Sequence, residues 1–183
     1  RPLAHFDRDD PEQCLAAVVY YEAATEPRAG REAVAQVVLN RTRHPAFPRS
    51  ICGVVFQGSA RRTGCQFTFT CDGSLARMPD PRLWAEAETI ARRALAGAVA
   101  SGLETALNYH ADYVKPAWRA GLSRLGQIGA HIFYAPRGGV PPVLARDLPR
   151  ATATNGSFVV WGIRIATVRP GGRIVAQPAI AHP

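Results

Sequence analysis

The chain has 183 residues, 47% of them hydrophobic, with 22 basic against 14 acidic side chains and a formal net charge of +8. That length and apolar content suit one globular domain of ordinary size and exclude a disordered chain, and every long apolar run is broken by Arg, Gly or Pro before it could span a membrane. The basic balance favours a polyanionic partner, yet there is no C2H2 finger, RNP-like aromatic pair or long basic helix, so nucleic acid is not expected.

The chain opens at Arg1 with no initiating Met, which fits a mature or trimmed form whose signal peptide or anchor is gone. Asp10-Pro11-Glu12-Gln13 is a helix start: Asp as N-cap, Pro at the first helical position and Gln three residues after the cap. The helix is predicted to run to about Ala24, burying a stripe that contains Leu15 and Val18. Thr25-Glu26-Pro27 starts a second helix with Ala33, Val34, Val37 and Val38 inward, ending near Arg41. Residues 43–82 carry scattered Pro, Gly and aromatics, and Gln66-Phe67-Thr68-Phe69-Thr70 alternates like one arm of a small hairpin. Asp80-Pro81 caps a third helix with Leu83, Trp84, Ala87, Ile90, Ala91, Ala94 and Leu95 inward, and a short helical piece begins near Pro116. Beyond Pro136 the texture changes to punctuated loop and then to β-rich sequence, SFVVWGIRIATV, with a tight turn at 168–173 leading into a last strand. The expectation is an α+β protein: a mainly helical body over residues 1–135 with a small β-hairpin region, and a β-rich C-terminal extension over 136–183 packed on it.

Four cysteines, Cys14, Cys52, Cys65 and Cys71, fit an oxidising compartment. Cys65 and Cys71 bracket a short loop that a bridge would close. Cys14 and Cys52 are left as either a second bridge or two buried thiols.

The most informative side chain is Glu22. It lies seven residues past Leu15 and four past Val18, on their face of the helix. A carboxyl group turned toward a protein interior keeps its proton at a raised pKa, as a general acid for an acetal bond must. The alternative is a helix-end glutamate paired with an arginine. Glu26, one turn on, either couples to Glu22 by like-charge repulsion or, with Pro27 breaking the helix, caps the next one. A glycosidase with two carboxylates needs its second group across the sugar, for which Asp72 and Asp112 are the loop candidates. A single-acid route dispenses with it: the glutamate protonates the glycosidic oxygen and a hydroxyl of the substrate closes on the anomeric carbon. Two rivals involve other groups. Zinc held by His110 with His44, Cys65 or Cys71 lacks the short ligand spacing of a finger, so no metal or other cofactor is expected. A Cys14–His110 peptidase dyad competes with a plain buried Cys14.

The segments YYEAATEP, GREAVAQVVLNRTRHPAFPRSICGVVFQ, CQFTFTCDG, the Trp84 helix, NYHADYVKPAW and IGAHIFY together resemble the SleB/CwlJ family of bacterial cell-wall hydrolases, over roughly residues 12–135 and in family order. The resemblance implies a lysozyme-like fold and cleavage of the bond between N-acetylmuramic acid and N-acetylglucosamine in peptidoglycan glycan strands, in the manner of a lytic transglycosylase. It puts the catalytic glutamate on Glu22, and Gln66, Phe69 and Asp72 in a loop that lines the groove. Tyr109 and His110 fall in a late motif expected to orient substrate, and Glu26 is grouped with the substrate contacts. Where such proteins read HEARGE this chain has YEAATE, so Tyr21, Ala24 and Thr25 replace a His and an Arg-Gly pair; Asn108 stands for another His. The expected setting is secreted or periplasmic. The expected partner is the glycan strand, joined by a possible envelope activator or inhibitor, with a monomer favoured. A hydrolytic muramidase, a non-catalytic wall-binding protein on the same fold, and a Cys or metal amidase are the competing readings.

Overall fold

The computed structural model describes residues 6–61 and 64–138, together with strand residues 157–160, 163–168 and 174–176. Four α-helices come first: α1 (Pro11–Ala23), α2 (Arg28–Arg43), α3 (Ile51–Val55) and α4 (Pro81–Leu95). A three-stranded antiparallel sheet follows, from β1 (Asn108–Ala111), β2 (Leu122–Ile128) and β3 (His131–Pro136), with β3 in the middle. A second antiparallel sheet, β4 (Ser157–Val160), β5 (Ile163–Val168) and β6 (Ile174–Ala176), runs in chain order. The architecture is α+β, as expected. The β-rich character of the tail is present too, whereas its predicted turn at 168–173 falls largely outside the described residues.

The helix starts follow the local chemistry. Asp10 Oδ1 accepts from the backbone N–H of Glu12 and Gln13, and the Gln13 amide reaches back to Asp10 Oδ2 at 3.0 Å. Asp80 caps α4 the same way through Arg82 and Leu83. Each cap satisfies N–H groups that the first turn leaves without partners, worth about 1 kcal/mol. α2 has no side-chain cap; Pro27 supplies only its fixed backbone angle.

α1 is more central than its stripe suggests. Cys14 through Val19 are all fully buried, six consecutive residues, which no one-sided helix can achieve. α2, α3 and α4 surround it, so Ala16, Ala17 and Val19 are as deep as Leu15 and Val18. α4, by contrast, buries Ala87, Ile90, Ala91 and Ala94 and leaves its other face in water, as its pattern predicts.

A second group of buried residues on α2 is polar. The Gln36 amide donates to Asn40 Oδ1 at 2.8 Å, and Asn40 Nδ2 donates to the carbonyls of Leu103 and Ala106, each at 2.8 Å. Arg41 Nε donates to Leu107 O at 2.8 Å, and Ala100 N donates to Gln36 Oε1. Gln36, Asn40 and Arg41 are all but inaccessible. This ladder gives the 100–107 loop the backbone partners that a buried loop otherwise lacks. It thereby fixes where β1 begins.

The expected hairpin arm at 66–70 is not a strand. Cys65 and Cys71 are bridged with their Cα atoms 6.5 Å apart, whereas six extended steps would separate them by roughly 20 Å. The chain coils into a 3-10 turn at Thr68–Thr70, with Thr70 Oγ1 closing on Phe67 O at 2.8 Å. The sheet forms further along, from segments whose short strands are separated by Pro116 and a 3-10 turn at Ala117–Gly121. Cys14 and Cys52 form a second disulfide, which settles the open pairing and ties α1 to α3.

Candidate active site

Glu22 sits in the last turn of α1, half-buried, where the helix ceases to be surrounded by aliphatic side chains. Tyr109 of β1 donates its hydroxyl to Glu22 Oε2 at 3.1 Å, across 87 residues of sequence. Oε1 makes no protein hydrogen bond among the described residues. Burial raises the Glu22 carboxyl pKa above its ordinary value, and the Tyr109 hydrogen bond and the Arg41 charge pull the other way without cancelling it. Tyr109 shows the reciprocal effect: burial and the neighbouring carboxylate push its phenol well up, so it stays a donor.

Arg41 completes this group, although helical periodicity marks it only as near the end of α2. The residue is 3% exposed, its guanidinium over the rings of Phe47 and Phe67 and held by the Leu107 carbonyl. Nη1 is buried with no hydrogen-bond partner among the described residues. Burial lowers the Arg41 pKa, while Tyr109 and Glu22 act to raise it. The available signal was a polar set, Gln36, Asn40 and Arg41, at helical spacing inside the apolar sequence of α2.

The other expected site residues are dispersed. Glu26 Oε2 accepts from the Ala130 backbone N–H at 3.0 Å, so this carboxylate holds the β2–β3 turn rather than facing a substrate. Asp72 is fully exposed; its Oδ1 accepts from Ser74 N at 2.8 Å, and hydrogen bonds from Ser74 hold its pKa below the carboxylate norm. Asp112 Oδ2 accepts from Gln127 Nε2. Glu26, Asp72 and Asp112 thus each accept a hydrogen bond from a partner other than Glu22. Gln66 is half-buried, its backbone N–H on Gln57 O. Phe69 is buried, its ring stacked under Tyr21 with centroids 4.7 Å apart, which places it in the core and not on a groove surface. Tyr21 itself donates to Ser74 O at 3.0 Å.

His110 lies on the other face of β1. Strand residues alternate sides, so it points opposite to Tyr109. Nδ1 lies 2.8 Å from Ala111 O and Nε2 3.0 Å from the Tyr134 hydroxyl. Nδ1–H donates to the Ala111 carbonyl, and Nε2 pairs with the Tyr134 hydroxyl, so both ring nitrogens have partners. Tyr134 stacks on it and Trp118 packs edge-on. The peptidase dyad fails because Cys14 is buried and bridged to Cys52, and the proposed Cys/His metal set fails because Cys65 and Cys71 bond each other.

A depression of about 370 Å³ is walled by Tyr20, Tyr21 and Ala24 at the end of α1 together with Ser74, Arg77 and Met78, and its lining does not include Glu22, Tyr109 or Arg41. Among the described residues no helix is long and apolar enough to cross a membrane.

The Cell Wall Hydrolase family matches residues 25–134, starting three residues after Glu22. The spore cortex-lytic enzyme of Halalkalibacterium halodurans is 36% identical over 135 residues, covering 72% of this chain and 36% of that protein. Its Bacillus subtilis counterpart is 38% identical over 122 residues, covering 65% and 35%. The chain therefore spans little more than a third of the length of these relatives. Among solved structures, the catalytic domain of the Bacillus cereus SleB protein aligns with a TM-score of 0.52 at 30% identity, covering 68% of this chain and 88% of that one. The catalytic domain of the germination-specific lytic transglycosylase SleB from Bacillus anthracis aligns with a TM-score of 0.56 at 31% identity, covering 69% and 94%.

Proposed function

The chain belongs to the Cell Wall Hydrolase family, and from that premise we propose that it cleaves the glycan strands of peptidoglycan between N-acetylmuramic acid and N-acetylglucosamine, as a lytic transglycosylase with Glu22 as its acid and then its base. The observation that carries this reading is a half-buried carboxyl group with a raised pKa, hydrogen-bonded by a tyrosine and lying beside a buried arginine. Protonated Glu22 gives its proton to the glycosidic oxygen, and the N-acetylglucosamine side leaves as an alcohol. The electron-poor C1 of the muramic acid is then attacked by its own C6 hydroxyl, whose proton returns to Glu22. The product is a 1,6-anhydro end, with no water consumed and the enzyme restored.

Support for the intramolecular route over hydrolysis is the state of the other carboxylates. A hydrolytic muramidase needs a second one close to Glu22, about 5 Å away for retention and up to roughly 9 Å for inversion. Glu26, Asp72 and Asp112 each already accept a hydrogen bond from a backbone or side-chain donor, which supports their use as scaffold. Tyr109 and Arg41 stabilise the carboxylate that exists between the two proton transfers. The fitting location is the secreted or periplasmic space, where both disulfides persist.

The test is mass spectrometry of sacculi digested in ¹⁸O water by wild type and by Glu22→Gln. Anhydromuramic ends without label, absent from the Glu22→Gln digest, are expected. Labelled reducing ends would establish the hydrolytic muramidase instead. Tight sacculus binding with no released fragment from either protein would establish a wall-binding module.

A further inference from the structure

Glu26 lies one helical turn beyond Glu22, yet it touches a different part of the molecule. Its Oε2 receives the Ala130 N–H at 3.0 Å, and Ala130 O receives the Asp112 N–H at 2.8 Å. Asp112 directly follows β1, three residues after Tyr109. Ala130 is therefore a single link between the carboxylate at the α1–α2 corner and the strand that carries Tyr109. Residues on both sides of Glu26 leave it room. Gly129 has φ +57, and a Cβ there would fall on Glu26 Oε2, closer than non-bonded atoms approach. A Cβ at Gly30 would come within 3.3 Å of Glu26 Cβ. Gln127 Nε2 braces the same turn, donating to Gly129 O and to Asp112 Oδ2 at 3.2 Å each. β3 pairs Phe133 with Tyr109 and His131 with Ala111, and the His131 ring meets the Tyr109 ring edge-on at 5.1 Å.

We propose that Glu26 is a positioning residue: its carboxylate clamps the β2–β3 turn through Ala130 and so holds Tyr109 against Glu22. The bond is charge-assisted and partly shielded, so it is stronger than an ordinary surface contact. Glu26 donates no proton to a sugar and activates no water. It acts on the reaction only through where Tyr109 stands. The clamp is a matter of geometry, while its effect on turnover rests on the glycan-cleaving function proposed above.

Three variants and two activity-free readouts separate these. Amide exchange at Ala130 and NMR titration of the Glu22 carboxyl are measured in wild type, Glu26→Ala, Glu26→Gln and Gly129→Ala. Glu26→Ala is expected to lose Ala130 protection and to move the Glu22 titration upward, because the Tyr109 hydrogen bond that favours the carboxylate is weakened while Arg41 stays in place. Gly129→Ala, which crowds the clamp from the other side, moves it the same way. Glu26→Gln keeps an acceptor oxygen for Ala130 and restores both signals. In glycan cleavage Glu26→Ala lowers kcat about tenfold with KM within about twofold, Glu26→Gln recovers to within about threefold, and adding Tyr109→Phe to Glu26→Ala costs nothing more. The clamp is overturned if Ala130 protection and the Glu22 titration are unmoved in a folded Glu26→Ala protein. It is equally overturned if Glu26→Gln is as inactive as Glu22→Gln, which would make the carboxylate itself a reactant. A wild type that cuts no glycan would sink the proposed function, and the two NMR readouts would still decide the clamp.

Discussion

Tyr109 and His110 are adjacent in the chain and face opposite sides of one strand, and the two environments differ in kind. On the Tyr109 side the polar groups are unfinished among the described residues: Glu22 Oε1 accepts no hydrogen bond there, Arg41 Nη1 is buried without a partner, and burial shifts the pKa of all three groups. On the His110 side the account is closed, with both ring nitrogens bonded and two aromatic rings packed around them. Unfinished hydrogen bonding costs stability and persists where chemistry needs it; finished hydrogen bonding marks scaffold.

The sharpest challenge to that contrast is Glu22→Gln, which keeps the shape and removes the transferable proton. We expect kcat for glycan cleavage to fall by about 10³-fold or more with the fold intact by circular dichroism. Near-normal turnover would remove the distinction between the two sides. Next in size is His110→Ala. It leaves the Tyr134 hydroxyl without its ring partner and opens a cavity, so denaturant melts should show a loss of about 2 kcal/mol while kcat/KM stays within about threefold. A larger loss of kcat/KM than of stability would move His110 into the active group.

A smaller effect, but one with a definite sign, is expected of Tyr109→Phe. Its hydroxyl favours the Glu22 carboxylate, so removing it raises the Glu22 pKa and carries the basic limb of the pH–rate profile to higher pH, with kcat down about tenfold. A limb that moves to lower pH would contradict the hydrogen-bond geometry. The smallest effect is on stability. The folded-state pKa of Glu22 lies above its ordinary 4.5, so the folded protein holds this proton more tightly than the unfolded chain does. The resulting stabilisation is full below the unfolded pKa and is lost as pH rises through the folded one. The always-neutral Glu22→Gln should therefore match wild type in Tm near pH 4 and exceed it by a few degrees near pH 8. Equal Tm values across that range would mean the carboxyl is not held against its ionisation.

Much of the helical frame was legible in the sequence because its causes are local. Asp10-Pro11 and Asp80-Pro81 mark two helix starts within four residues each, and the α4 pattern gives its buried face directly. Glu22 was legible for the same reason: its position relative to Leu15 and Val18 is fixed by helical periodicity alone. The segment 66–70 was misread because alternation is also what a tight turn between bridged cysteines can display, and the bridge overrides the pattern. Six consecutive buried residues in α1 were beyond reach too, since a stripe on one side says nothing about helices that cover the other.

Local sequence pattern marks the starts of α1 and α4 and the helix face on which Glu22 stands, and motif order carries the family, whereas the short α3 is not read from it. What each polar group faces is set by the tertiary structure. It set Tyr109 on Glu22 across 87 residues and Glu26 on Ala130 across 104, joined Cys14 to Cys52, and turned His110 and Phe69 into packing. The reason is range: caps and periodicity act within one or two turns of backbone, whereas a hydrogen bond between distant residues exists only once the packing of whole elements has brought its two ends together.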